Sequence, residues 1–451
     1  MPKKVFSIFF ICFLIIASVF VPISASAYEV TSFEITAQAG MLVSLDTGEV
    51  LWEKNADQKM YPASITKIMT AIIMVESDIW NPEGKVTLTK AALDKTLGTG
   101  LAVSLMNEGE EFTQLDLLYM VLLSSFGDCA YLAADVYGGS LEGFVDMMND
   151  KAQELGLNGT HYSNPVGLHE EETYTTARDT YKLCVYAKQY DVINEITSKS
   201  RYKIVTTKGT TKTLSTTNFL LDRSTNYFYQ YATGFKTGFT NAAGRCLVST
   251  ATKETRGKTY NYMCILLKCP NNPNIKRYEF TESRELYKWA FNNFSFKEIA
   301  KSNEPVCEIP VEMSLETDFL PLYFKKPFIS VLPNEADDST IVIKTHFKNK
   351  TATAPIKKGD VLGYADVMYA EKVIGKVDLI ANDDVKVSGL LQFWELVKGI
   401  FTSEYMKAVY LIIGLVVVGF ILVMIKLNWP RKRKKMKYIP YKEKDFKNNE
   451  N

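Results

Sequence analysis

The sequence predicts an α+β domain, helices packed on an antiparallel sheet, followed by a small all-β domain and one membrane-spanning helix near the C-terminus. Three observations carry this reading. Strand-like segments come first, amphipathic helical segments follow, and strands return, an order that suits an α+β fold. Residues 305–387 contain only short alternating segments separated by turn residues. Residues 408–425 carry no charge, and 18 helical residues at ~1.5 Å each span ~27 Å, about one hydrocarbon core.

Taken in order, residues 1–27 read as a secretory signal. Lys3 and Lys4 form a positive start, residues 5–20 are nearly all apolar, and Ala25-Ser26-Ala27 is a small-residue cleavage site before Tyr28. From Phe33 the pattern alternates. Gly40-Met-Leu-Val-Ser-Leu, the turn Asp46-Thr47-Gly48 and Val50-Leu51-Trp52 predict a hairpin. Helices are predicted over 64–76, over 114–136 and over 141–155, the last stopped by Gly156. Strands follow near 201–206, 245–251 and 260–267, then a helix over 279–291.

The polar stretch 292–304 reads as a linker, which places the first domain at 28–291 and the β-rich one at 305–387. In residues 388–407, Leu390, Phe393, Trp394, Val397, Ile400 and Phe401 recur at helical spacing, as in an interfacial helix leading into a span. Trp429 and the run Arg431-Lys432-Arg433-Lys434-Lys435 follow that span. The positive-inside rule then puts the basic tail 426–451 in the cytoplasm and the domains outside, with lipid as a partner.

Composition narrows the function. Of the 451 residues 47% are hydrophobic, which suffices for two or three cored domains and excludes a disordered chain. The net charge of +1 is uneven: beyond Lys3 and Lys4, ten Lys/Arg against three acids lie in the tail, so the domains between are net acidic and unsuited to nucleic acid. Three histidines leave little for a His-rich metal site or a Ser-His-Asp triad. The six cysteines beyond the signal sit largely among apolar neighbours, where they read as small buried hydrophobes.

Three short segments carry chemistry. Ser64-Ile65-Thr66-Lys67 opens an apolar helix, where positions i and i+3 share a face, so the hydroxyl and the amine can meet. A serine hydroxyl needs a base before it attacks, and a lysine whose pKa is lowered by burial or by a nearby cation can be that base. The backbone N–H groups at the start of the helix are available to an oxyanion. A second Ser-x-x-Lys, Ser200 to Lys203, reads as an ordinary strand fragment. Lys236-Thr237-Gly238, before Phe239, places a cation, a hydroxyl and a close-approach glycine on one strand, a set suited to a substrate carboxylate. Ser124-Ser125-Phe126-Gly127-Asp128 follows an apolar run and supplies a second hydroxyl, Ser125, able to relay a proton. Read singly, each has a plainer explanation as helix start, turn or cap.

Together and in this order, the three segments resemble the serine acyl-transferases that bind penicillin, whose signature is Ser-x-x-Lys, Ser-x-Asn and Lys-Thr-Gly. The resemblance is closer to the low-molecular-weight D-alanyl-D-alanine carboxypeptidases. It extends to Asp46-Thr-Gly-Glu-Val-Leu, Ser163-Asn-Pro-x-Gly-Leu, Thr176-Ala-Arg-Asp and Thr233-Gly-Phe-Lys-Thr-Gly-Phe-Thr, and covers roughly 35–275 strongly. It implies a β-lactamase/transpeptidase-like fold over 28–291, with the β-rich 305–387 as that family's accessory domain. It further implies that Ser64 attacks a peptidoglycan stem peptide ending in D-Ala-D-Ala, with Lys67 as base and Ser125 as proton relay. Lys236, Thr237, Gly238, Phe239 and Arg178 would then bind substrate, Phe239 through its backbone N–H beside that of Ser64. β-Lactams would be covalent inhibitors, and no metal or organic cofactor would be needed.

One departure stands out: Gly127 occupies the place of the signature Asn, which would hydrogen-bond the substrate backbone. A catalytically impaired wall-binding scaffold is the alternative this opens. A β-lactamase, suggested by Glu154-Leu-Gly-Leu157-Asn158, fits poorly with the β-domain and the membrane anchor.

Overall fold

The computed structural model describes residues 34–271 and 276–429. The predicted signal and most of the basic tail lie outside the described residues. Among the described residues there are two compact units: 34–271, 276–300, 327–342 and 367–375 in the first, and 301–326, 343–366 and 376–429 in the second.

The predicted hairpin forms from β1 (Ala39–Ser44) and β2 (Val50–Lys54), with Gly48 turning at φ 76° where a side chain would be strained. With β3 (Ala232–Thr240), β4 (Gly244–Thr255) and β5 (Lys258–Cys269) they make an antiparallel sheet in the order β2-β1-β5-β4-β3. The two-residue period of β5 sends Met263, Ile265 and Leu267 to one core and Tyr262, Cys264 and Leu266 to another. The second core is closed by α6 (Tyr278–Asn293) through Phe280, Leu286, Tyr287, Ala290 and Phe291. Both sheet faces are therefore covered, which explains why β5 reads as an unbroken apolar run.

Helices fill the first core. α1 (Lys67–Glu76), entered through a 3₁₀ turn at Ala63–Thr66, is buried without interruption from Lys67 to Met74. A helix buried all round has no solvent face on which to place a lysine, so Lys67 is forced into the interior. Around it lie α2 (Gln114–Leu122), α3 (Gly127–Gly138), α4 (Leu141–Glu154) and α5 (Ala177–Ala187).

The single helix predicted over 114–136 is in fact α2 and α3, separated at 123–126. Ser125 takes a left-handed φ of 61°, which an L-residue avoids inside a helix, and Phe126 is extended. The stretch read as a linker also departs from expectation, because Phe294–Ala300 is a strand paired antiparallel with Phe328–Pro333.

A six-stranded sheet, most of whose residues lie in the second unit, runs in the order Ile341–Phe347, Val361–Tyr369, Lys372–Ala381, Phe319–Phe324, Pro305–Glu312, Ala352–Thr353. Alternate residues Leu320, Leu322 and Phe324 are buried, as a half-covered sheet requires. α7 (Gly389–Thr402) carries the predicted exposed Leu390, Phe393 and Trp394. α8 (Glu404–Asn428) has 25 residues, its most apolar 18 average a hydropathy of 3.0, and none of its side chains is buried, which fits a membrane anchor.

Of the six cysteines, Cys129, Cys184, Cys246, Cys264 and Cys269 are buried free thiols and Cys307 is half-buried. Desolvation pushes the buried thiols up, so they stay protonated.

Candidate active site

The start of α1, the break between α2 and α3, and edge strand β3 meet at one cleft of about 550 Å³ lined by Ser64, Ser125, Thr237, Gly238 and Phe239. Lys67 Nζ donates to Ser64 Oγ at 3.1 Å and to the Val166 carbonyl at 2.7 Å. Burial of the ammonium drops the Lys67 pKa to about 7, against the opposing pull of Asp128. Lys236 Nζ donates to Ser125 Oγ at 2.9 Å and to its neighbour's carbonyl, Thr237 O, at 2.9 Å. Desolvation first, and the Lys67 charge second, hold Lys236 well below the usual lysine range. Two buried amines with depressed pKa values thus each touch one serine hydroxyl.

Local sequence explains the geometry. Ala63 has a left-handed φ of 47°, so the chain turns sharply just before Ser64. β3 runs along that turn, and a side chain at Gly238 would meet the Pro62 carbonyl at 2.9 Å and the Ser64 nitrogen at 3.1 Å. Only glycine lets the strand come this near. The Thr237 hydroxyl donates to Thr217 Oγ1 at 2.5 Å, which fixes its rotamer at the cleft wall.

The loop 163–168 acts as a clamp on Lys67. Asn164 Oδ1 accepts from the N–H groups of Val166, Gly167 and Leu168, folding the loop so that the Val166 carbonyl faces the amine. Thr70 donates to the Pro165 carbonyl at 2.7 Å. Gly167 has φ 78°, and a Cβ there would lie 1.8 Å from the Ala63 carbonyl oxygen. Gly167→Ala is expected to cost more than the ~1–2 kcal/mol of left-handed backbone alone. Calorimetry should record a fall in Tm of about 5 °C or more.

Five of the eight predicted site residues line this cleft, and two more reach it through a lining hydroxyl, Lys236 through Ser125 and Lys67 through Ser64. Arg178 is not brought there. Its Nε donates to Asp57 Oδ1 at 2.7 Å, and its Nη2 to Asp57 Oδ2 at 3.0 Å and Glu53 Oε2 at 2.9 Å, tying α5 to the end of β2. A guanidinium so committed has no fork left for a substrate carboxylate.

Two arginines that the sequence reading missed do line the cleft, Arg245 and Arg277. Arg277 Nε is held by the buried Glu279 at 2.6 Å, which leaves its outer nitrogens free of that contact. Arg245 lies over the Phe239 ring at 4.6 Å. The available signal was Glu279 itself, a carboxylate on the buried face of an amphipathic helix two residues after an arginine.

Gly127 also has a concrete setting. Its N–H donates to the Ala102 carbonyl at 2.7 Å, and a Cβ on it would lie 2.9 Å from Leu101 Cδ1. The place of the signature Asn is occupied by Leu101.

Comparison with known proteins agrees with this arrangement. The family described as D-alanyl-D-alanine carboxypeptidase matches residues 25–259, and the C-terminal domain of penicillin-binding protein 5 matches 294–387. The chain is 30% identical over 376 residues to D-alanyl-D-alanine carboxypeptidase DacF of Bacillus subtilis, covering 81% of this chain and 90% of that protein. Penicillin-binding protein 5 of Haemophilus influenzae superposes with a TM-score of 0.62 at 25% identity, over 79% of this chain and 100% of its own. The Streptomyces K15 DD-transpeptidase superposes with a TM-score of 0.53 at 29% identity, over 58% of this chain and 100% of its own.

Proposed function

The chain belongs to the D-alanyl-D-alanine carboxypeptidase family of serine peptidases, and from that premise we propose that it removes the terminal D-alanine of peptidoglycan stem peptides through an acyl-enzyme on Ser64. The observation that carries the assignment is the pair of buried amines, Lys67 on Ser64 Oγ and Lys236 on Ser125 Oγ.

With a pKa near 7, Lys67 is substantially neutral at physiological pH. Neutral Nζ takes the Ser64 proton as Oγ attacks the carbonyl carbon of the D-Ala-D-Ala bond. The tetrahedral oxyanion is received by the backbone N–H groups of Ser64 and Phe239. Ser125, poised on Lys236, passes its proton to the departing amine nitrogen and regains one from the protonated Lys67, which returns to its neutral form, so D-alanine leaves neutral at nitrogen and the acyl group remains on Oγ. Water then enters and attacks the acyl carbon while the neutral Lys67 takes its proton; Lys67 returns that proton to Ser64 Oγ as the acyl bond breaks, and the shortened peptide is released. A β-lactam follows the first half of this path, but its leaving nitrogen stays tethered within the opened ring.

The terminal carboxylate is assigned to Thr237 and Arg277, with Arg245 beside them. Arg277→Gln is expected to raise KM for a D-Ala-D-Ala peptide about 10- to 100-fold with a smaller change in kcat, because the lost charge-assisted hydrogen bonds act on the ground state and the transition state alike. Steady-state kinetics on the free acid checks it.

For location, α8 is assigned as a single span and α7 as a helix lying at the lipid interface, with the catalytic domain outside and the basic tail in the cytoplasm. The net acidic domains agree with a wall substrate and not with nucleic acid.

The test is incubation of the purified protein with a fluorescent penicillin and, separately, with a peptide ending in D-Ala-D-Ala. Label on the Ser64 peptide by mass spectrometry together with free D-alanine is the expected result. Absence of both would overturn the assignment and leave a wall-binding scaffold.

A further inference from the structure

We infer that Leu101 is a specificity-determining residue of this site, an apolar wall that selects acyl donors with an uncharged side-chain end on the residue before the two D-alanines. This rests on the acyl transfer proposed at Ser64.

Leu101 is half-buried, packs against the first core and lines the cleft with Ser64 and Ser125. It is held on both flanks. Its own N–H donates to Thr99 Oγ1 at 3.3 Å, and the next residue's carbonyl, Ala102 O, accepts from Gly127 N–H at 2.7 Å. Further on, Ser104 N–H donates to both carboxylate oxygens of buried Asp128 at 3.0 Å, and the Ser104 hydroxyl donates to the same group. Lys212 Nζ donates to the Ser104 carbonyl. Leu97 and Leu105, on either side, are 74% and 83% exposed, so of these three leucines only Leu101 is turned inward.

The start of α3 is shaped to receive it. A Cβ on Gly127 would lie 2.9 Å from Leu101 Cδ1 and 3.1 Å from Leu101 Cβ, so any side chain at 127 competes with Leu101 for one volume. The amide that would have met the substrate backbone is thus exchanged for a methyl-bearing surface. Such a surface gains by covering carbon and loses by stripping water from a charge. An acylated side chain therefore suits it, and a free ammonium does not.

The experiment compares D-alanine release from Nα,Nε-diacetyl-L-Lys-D-Ala-D-Ala and from Nα-acetyl-L-Lys-D-Ala-D-Ala, whose side-chain amine is free. The native protein is expected to favour the first by about tenfold or more in kcat/KM, within the range one buried apolar contact supplies. Leu101→Ala should shrink that ratio to below about threefold while Ser64 is still labelled by a fluorescent penicillin, which shows that the site remains assembled. The nearby cations also disfavour a free amine, but their contribution would survive Leu101→Ala.

A second arm tests the shared volume. Gly127→Ala should lower kcat/KM for the diacetyl peptide about tenfold in the native background and have little effect when Leu101 is already alanine. A ratio unchanged in Leu101→Ala, or additive effects of the two substitutions, would overturn this inference alone. No D-alanine from either peptide with the native protein would overturn the proposed function and this inference with it.

Discussion

Ser64→Ala is expected to lower D-alanine release by about 10⁴-fold or more and to abolish covalent labelling by penicillin. The size follows from the division of labour at the site. Without Oγ there is no acyl-enzyme, and Lys67 has no hydroxyl between it and the scissile carbon. What survives is binding and oxyanion stabilisation, which act weakly on a water that nothing positions. Because Ser64 is only half-buried at the cleft wall, removing its oxygen leaves the core intact, and Tm should stay within about 2 °C of the native value. Noncovalent binding of the peptide should persist. Retained labelling in Ser64→Ala would move the nucleophile elsewhere, with Ser125 the first residue to test.

Lys67→Met is expected to have an effect of similar order, about 10³- to 10⁴-fold on the rate of acylation, with a pH signature to identify it. In the native protein acylation should rise with pH through about 7 and level off above, since the base proposed here is the neutral amine and burial places its pKa there. Lys67→Met should lose that rise along with the activity. The stability consequence has the opposite flavour. The folded pKa lies below the unfolded value of about 10.4, so the unfolded chain keeps a proton that the folded protein gives up, and this group's contribution to stability grows as pH climbs from about 7 towards 10. Between those limits the native state bears a penalty that methionine does not, and Lys67→Met should hold or raise Tm at pH 7. An acylation profile flat across pH 6–9 would remove Lys67 from the role of base.

The parts of this molecule that could be read in advance are those written in contiguous residues. Ser64 and Lys67 share a helical face, and Lys236 to Phe239 lie along one strand, so spacing alone places their atoms. The strands β1 and β5 were legible for the same reason. The break at Ser125 was not, because apolar helical sequence lies on both sides and the turn is imposed by hydrogen bonds from elsewhere, Gly127 N–H to Ala102 among them. Arg178 and Arg277 could not be told apart either. Which guanidinium is spent on Asp57 and Glu53, and which is aimed at the cleft, depends on partners far along the chain. The strand Phe294–Ala300 buries only Phe294 fully, too little alternation to distinguish it from a linker. The exchange of Leu101 for a side chain at 127 is a contact between a loop and a helix that no local pattern announces.

The sheet has a consequence for when this site exists at all. β1 finds its second neighbour only in β5, Ala39 opposite Leu267, and the strand carrying Lys236 is attached to the sheet through β4 alone. The bonds that ready the two hydroxyls also span long stretches, 99 residues from Lys67 to Val166 and 111 from Ser125 to Lys236. Closing such loops is slow and late compared with forming local helices. The nucleophile and its lysine leave the ribosome early, side by side, yet remain chemically ordinary until more than two hundred further residues have arrived and folded over them. A nascent or half-folded chain has the motif and none of the reactivity, so the penicillin labelling proposed at Ser64 would report closure of the five-stranded sheet and not merely the presence of the serine.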